Sequence, residues 1–218
     1  MPVVVIIVII IGIIAAVLLL RQTTWRPRVT DHWHARYQVV VCGEPQPSIS
    51  FETSPELGVH THGDGLIHIH PNSTDDEGKN ANLGRFLARS GADAGGRKVN
   101  EGLTFERGLL RLPDGREFRD GNPCPDGQPG EVRLLVGRTP NIGSPELCTD
   151  YKENDKFGRY APREGGSANR LDGDCIRMEF GPPGATPAPG TPSPTPGAAA
   201  TSSPTASPAP SPAPTPAR

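Results

Sequence analysis

Gly58-Val59-His60-Thr61-His62-Gly63-Asp64-Gly65-Leu66-Ile67-His68-Ile69-His70-Pro71 reads as two short alternating runs folded around a Gly-Asp-Gly turn. Glycine accepts the positive φ that tight loops require, and Pro71 ends the second run. Side chains two apart on a strand point to the same face, so His60/His62 and His68/His70 each project two imidazoles together. With residues 63–65 as a three-residue loop, His60 falls opposite His68. Cross-strand neighbours have Cβ atoms roughly 4.5–5.5 Å apart, close enough for their side chains to converge.

Upstream, residues 32–42 form a further strand. Trp33, Tyr37, Val39 and Val41 alternate with His34, Arg36, Gln38 and Val40, which puts the aromatic residues on one face and His32/His34 on the other. All 6 histidines of the chain therefore fall in three His-x-His pairs between residues 32 and 70. If this strand pairs beside the hairpin, His32, His34, His60, His62, His68 and His70 gather on one surface. Neutral imidazole suits copper and zinc, and Asp31, Glu44 and Asp64 are carboxylates able to ligate or to orient a ring. A single such pair commonly marks only a half-exposed strand. Three pairs so close together point to a transition-metal site, with a metal-free, pH-responsive cluster as the alternative.

Downstream, Asn82 caps a short helix carrying Leu83, Phe86 and Leu87 on one face, and Gly91 stops it. Strands follow at 109–112 and 116–118 around Pro113-Asp114-Gly115, at 131–136, and at 175–180, where Ile176, Met178 and Phe180 point inward against Arg177 and Glu179. The stretch 138–170 lacks periodicity and reads as a long loop stapled at Cys148. Strands, one short helix and more strands predict an α+β domain over 31–181, a small mixed sheet of β-grasp-like form.

Val3 to Leu20 carries no charge and is long enough to cross a bilayer as a helix. It exceeds a usual signal-peptide core and lacks a small-x-small cleavage pattern, so we expect an uncleaved anchor, with 21–30 as a polar juxtamembrane linker. Arg21, Arg26 and Arg28 would place the following domain inside by the positive-inside rule. The 4 cysteines argue for the outside: Cys42, Cys124, Cys148 and Cys175 are widely spaced, never in a CxxC pair, and read as two disulfides with three possible connectivities. Cysteine usage outweighs the charge rule, which places the domain extracytoplasmically on a single-pass anchor in the cell membrane. Residues 182–218 form a Pro/Ala/Ser/Thr tail with nothing to bury, expected to be disordered. The net charge of −2 without a basic stripe excludes nucleic acid as a partner.

Asp31-His32-Trp33-His34-Ala35, Val41-Cys42-Gly43-Glu44, and the run from His60 to Pro71 resemble an uncharacterised family of bacterial membrane-anchored proteins. Asn82-Leu83-Gly84-Arg85-Phe86, Cys124-Pro125 and Pro129-Gly130-Glu131-Val132-Arg133 are similar to its later segments, so the resemblance runs from Asp31 to Phe180. It implies the anchored topology and the grouping of these motifs; it implies no activity. No His-Glu-x-x-His, nucleophile elbow or phosphate-binding glycine loop occurs, and Gly58-Val59-His60-Thr61-His62 lacks the glutamate that a cupin motif requires. No catalytic residue is assigned. The expected function is binding of copper or zinc at the cell surface. A metal-dependent enzyme with Asp64 or Glu44 as base ranks second. A structural protein contacting cell wall or an envelope partner ranks third.

Overall fold

The computed structural model describes residues 2–24, 26–49, 57–92, 97–98, 101–167 and 169–184, with backbone only for 2 and 18–24. Helix α1 (Pro2–Thr24) precedes β1 (Trp33–Val41), β2 (Glu44–Pro45), β3 (Val59–His60) and β4 (Leu66–Ile69). Helix α2 (Leu83–Arg89) follows. Then come β5 (Thr104–Glu106), β6 (Leu109–Arg111), β7 (Glu117–Arg119), β8 (Glu131–Thr139), β9 (Thr149–Glu153) and β10 (Gly173–Gly181). The class is α+β, as expected.

The main sheet runs β3-β4-β1-β10-β8-β9, with β2 paired to β1, and β5-β6-β7 form a second, three-stranded sheet. At its centre the first and last long strands lie parallel, Arg36 opposite Cys175 through Val41 opposite Phe180. All other pairings in it are antiparallel. One face carries the core: Trp33, Tyr37 and Val39 from β1, Ile67 and Ile69 from β4, and Ile176, Met178 and Phe180 from β10. Helix α2 packs on that face through Leu83 and Phe86, the Phe86 ring 5.2 Å from Tyr37. The expected cap is in place, Asn82 Oδ1 accepting from Arg85 N–H at 2.9 Å. Phe86 and Phe180 are 1 % and 0 % exposed, so each contributes about 1.5–3 kcal/mol by burial.

Disulfides join Cys42 to Cys124 and Cys148 to Cys175, across sequence separations of 82 and 27 residues. Closing loops of that size stabilises the fold by about 3–5 kcal/mol each in the chain-entropy account. Small domains of oxidising compartments use this device.

Three expectations change. The stretch 138–170 is not a bare loop: β8 continues to Thr139, and β9 pairs with it, Leu135 opposite Glu153. Alternation failed to reveal β9 because its sequence, Thr-Asp-Tyr-Lys-Glu, has only Tyr151 to bury. Arg177 and Glu179 do oppose the inward residues of β10, yet they too are buried, covered by Tyr151 and paired with each other and with Arg133. The linker assigned to 21–30 is helical to Thr24. From Pro27 it docks on the domain, Pro27 C=O accepting from Gly78 N–H and Glu77 Oε1 from Val29 N–H, both at 2.8 Å.

The described side chains of α1, Val3 to Val17, are exposed on every side. Among the described residues no helix is long and apolar enough to cross a membrane. The anchor expected over 3–20 includes Leu18, Leu19 and Leu20, whose side chains lie outside them. Trp25 and the tail from residue 185 also lie outside the described residues.

Candidate metal centre

The histidines occupy the face of the sheet opposite the core. Register places His60 opposite His68 and His68 opposite His34, a row of imidazoles across β3, β4 and β1. This is the pairing a loop over 63–65 demands, although the ladder between β3 and β4 stops at His60 and His68. Tyr37 N–H donates to Gly65 C=O at 2.9 Å, and Gly65 has φ +76, a conformation glycine adopts without strain. One step beyond the strand end, His32 and His70 form a second row, their ring centroids 3.8 Å apart. His62 closes the group 4.6 Å from His68. All three sequence-predicted pairs therefore meet.

The nitrogens come closer still. His32 Nε2 and His34 Nε2 are 3.0 Å apart, and His60 Nε2 and His62 Nε2 are 3.2 Å apart. Two imidazole nitrogens each about 2.0–2.1 Å from one zinc ion are separated by roughly 2.9–3.4 Å. Both pairs thus stand at the spacing of ligands on a shared ion. Donor atoms of His32, His34, His68 and His70 all lie within 4.8 Å of one another, as do those of His60, His62 and His68.

Supporting contacts fix which nitrogen is free. His34 Nδ1–H donates to Gly166 C=O at 2.6 Å, and His34 N–H donates to Gly165 C=O at 2.9 Å. A carbonyl only accepts, so the lone pair of His34 is on Nε2, facing His32. Gly166 has φ +60, and a Cβ there would stand 2.9 Å from the His34 Cβ. The loop can approach only because this residue is glycine. His68 Nε2 lies 2.9 Å from Asp64 Oδ2. Desolvation pushes the Asp64 carboxyl up, but the hydrogen bonds from His68 and from Leu66 N–H prevail and hold it down at about 2.

Protons are poor ligands here. His60 is 1 % exposed. Its imidazole is held down to about 3 by burial and then by the neighbouring rings of His68, His70 and His62. Burial and the surrounding histidines lower His70 to about 4, and burial also lowers His34 and His32. Neutral rings keep their lone pairs at neutral pH, yet His60 Nδ1 and His70 Nε2 are buried with no hydrogen-bond partner among the described residues. An unsatisfied buried polar atom costs about 1–3 kcal/mol. A cation bound at His70 Nε2 relieves the cost there, and such an ion suits a donor set made entirely of imidazole.

Of the three carboxylates singled out in the sequence, only Asp64 serves the cluster. Asp31 is engaged with Arg28 N–H at 2.9 Å. Glu44 pairs with Val41 at the far end of β1, seven strand positions from His34 and so roughly 23 Å away. Gly165-Gly166 was missed: the adjacent glycines are visible in the sequence, but their partner His34 lies about 130 residues earlier. No known protein family, curated protein or solved structure matches the chain.

Proposed function

We propose that this chain is a membrane-anchored, extracytoplasmic domain that captures a divalent transition ion, copper(II) or zinc(II), on its histidine face. The observation that carries the reading is the convergence of six imidazoles from three strands, with two Nε2 pairs at 3.0 and 3.2 Å. The donor set argues against copper(I), which prefers thiolate or thioether. Every cysteine is in a disulfide, and Met178 is sealed in the core at 0 % exposure.

Support for the anchor is the uncharged run Val3–Leu20 within α1. Support for the outside is the pair of disulfides. His32 follows Thr24 by eight residues, a reach of at most about 26–29 Å, so the ion would be taken up close to the bilayer. The arrangement is also read as β-grasp-like. Its first and last long strands are parallel, a hairpin partner flanks the first, and the helix connects the hairpin to the later strands. Membership in the bacterial family that the sequence resembles accords with each of these points.

The decisive experiment titrates the full chain, solubilised in mild detergent and free of any polyhistidine tag, with zinc(II) or copper(II). The wild type should bind. The His34→Ala/His60→Ala/His68→Ala variant should bind at least a hundredfold more weakly, because it breaks both ligand sets; equal affinity overturns the proposal. Orientation is checked by alkylating free thiols in intact cells before lysis. All four cysteines should be protected as disulfides, and four alkylated cysteines place the domain in the cytoplasm.

A further inference from the structure

His68 is common to both ligand sets: His32, His34, His68 and His70 on one side, His60, His62 and His68 on the other. Its register explains this, since β4 lies between β1 and β3 and His68 stands opposite His34 and His60 at once. Its ring centroid is 4.6 Å from His34, 4.6 Å from His62 and 5.3 Å from His60. The sets are not equivalent. The first has four imidazoles and the second three; each includes one exposed histidine, His32 and His62, and the second also includes fully buried His60.

An imidazole has two nitrogens, but one of those on His68 is already engaged. Nε2 lies 2.9 Å from Asp64 Oδ2. An ionised carboxylate only accepts hydrogen bonds, so Nε2 carries the proton and the one lone pair of His68 is on Nδ1. Serving two ions together would require both nitrogens bare, as a bridging imidazolate, and Asp64 opposes that state by holding the proton in place. The loop keeps Asp64 there: its Oδ1 accepts from Leu66 N–H at 3.0 Å.

We infer that the histidine face holds two overlapping, mutually exclusive seats for a single divalent ion, one of four histidines and one of three, with His68 as the ligand that each must take from the other. The inference rests on the metal-binding reading above and adds to it how many ions the site holds at once. The ion passes between the seats by exchange about His68, with His32, His34 and His70 released as His60 and His62 engage. The domain carries one ion between two positions instead of storing two.

The test is stoichiometry on the full, untagged chain in detergent, dialysed against zinc(II) alone and, separately, copper(II) alone, with elemental analysis and a binding isotherm. The wild type should hold one ion per chain at saturation. His32→Ala/His34→Ala and His60→Ala/His62→Ala should each still hold one. For exclusive seats the association constants of the two variants add up to that of the wild type, to within about threefold. Two ions per wild-type chain overturn the sharing of His68. A sum more than tenfold below the wild-type constant also overturns it, because the six histidines then act as one merged centre. No bound ion in the wild type overturns instead the metal-binding reading itself. The wild-type measurement decides between these outcomes even if a variant fails to fold.

Discussion

Two of the buried polar assemblies in this domain treat their atoms in opposite ways. Around Asp174, which is 0 % exposed, every acceptor is met. Oδ2 takes the Tyr160 hydroxyl at 2.5 Å and Arg163 N–H at 2.8 Å, and the guanidinium groups of Arg138 and Arg163 stand 3.3 Å from Oδ1. Burial and then the neighbouring carboxylate push the Tyr160 hydroxyl well above its usual range, so it remains a donor. On the histidine face, six bases crowd together with a single carboxylate, and two buried nitrogens have no hydrogen-bond partner among the described residues. A polar group buried for stability is mostly satisfied within the chain. Imidazole donor atoms gathered within 4.8 Å of one another mark a place suited to something from outside.

The largest effect expected from breaking that contrast is at Asp174. Asp174→Ala strips the buried Tyr160 hydroxyl and Arg163 N–H of their acceptor, and leaving such groups unsatisfied costs about 1–3 kcal/mol each. Thermal unfolding of the metal-free chain should show it as a large drop in Tm, while the zinc affinity of the chain that is still folded at low temperature stays within about threefold of wild type. If affinity falls along with stability, the two assemblies are coupled and the contrast fails. A Tm unchanged by the substitution would remove the structural role assigned to Asp174.

The contrast also explains what could be read from the sequence. The histidine face was legible because its logic is local. Period-two alternation, the Gly63-Asp64-Gly65 turn and Pro71 fix a hairpin, and the register of a hairpin follows from its turn. The third pair, His32/His34, needed only the further step of setting β1 beside β4. Asn82 was likewise visible as a cap, because capping is settled within one helical turn. The Asp174 assembly was not legible. Its members Arg138, Tyr160, Arg163 and Asp174 come from a stretch with no hydrophobic period, and they meet only after β9 and the Cys148–Cys175 disulfide have folded that stretch back. Glu44 was misjudged for the same reason. Two residues beyond Cys42 in sequence, it sits at the far end of the strand from His34. Proximity along the chain predicts contact across a turn, but not along a strand.

A smaller effect separates the two assemblies by pH. His60 titrates at about 3 and His70 at about 4 in the folded chain, against an ordinary value of 6.5 that the unfolded chain retains. Between those limits the unfolded state binds more protons, so stability rises with pH across that window and is fully present above 6.5. Acidifying the metal-free chain should lower Tm progressively from pH 6.5 toward pH 4. In His60→Ala/His70→Ala the same scan should be flatter, whatever its starting Tm, because the two most strongly suppressed rings are gone. Zinc should raise the wild-type Tm without steepening the part of the slope due to His60 and His70, since those rings are already neutral in the fold and the ion stabilises only the folded state. A wild-type Tm that stays level from pH 7 to pH 4.5 would mean that the rings gain protons as easily in the fold as outside it. The cluster would then be an exposed, solvated surface, and its unmet nitrogens would call for no ion.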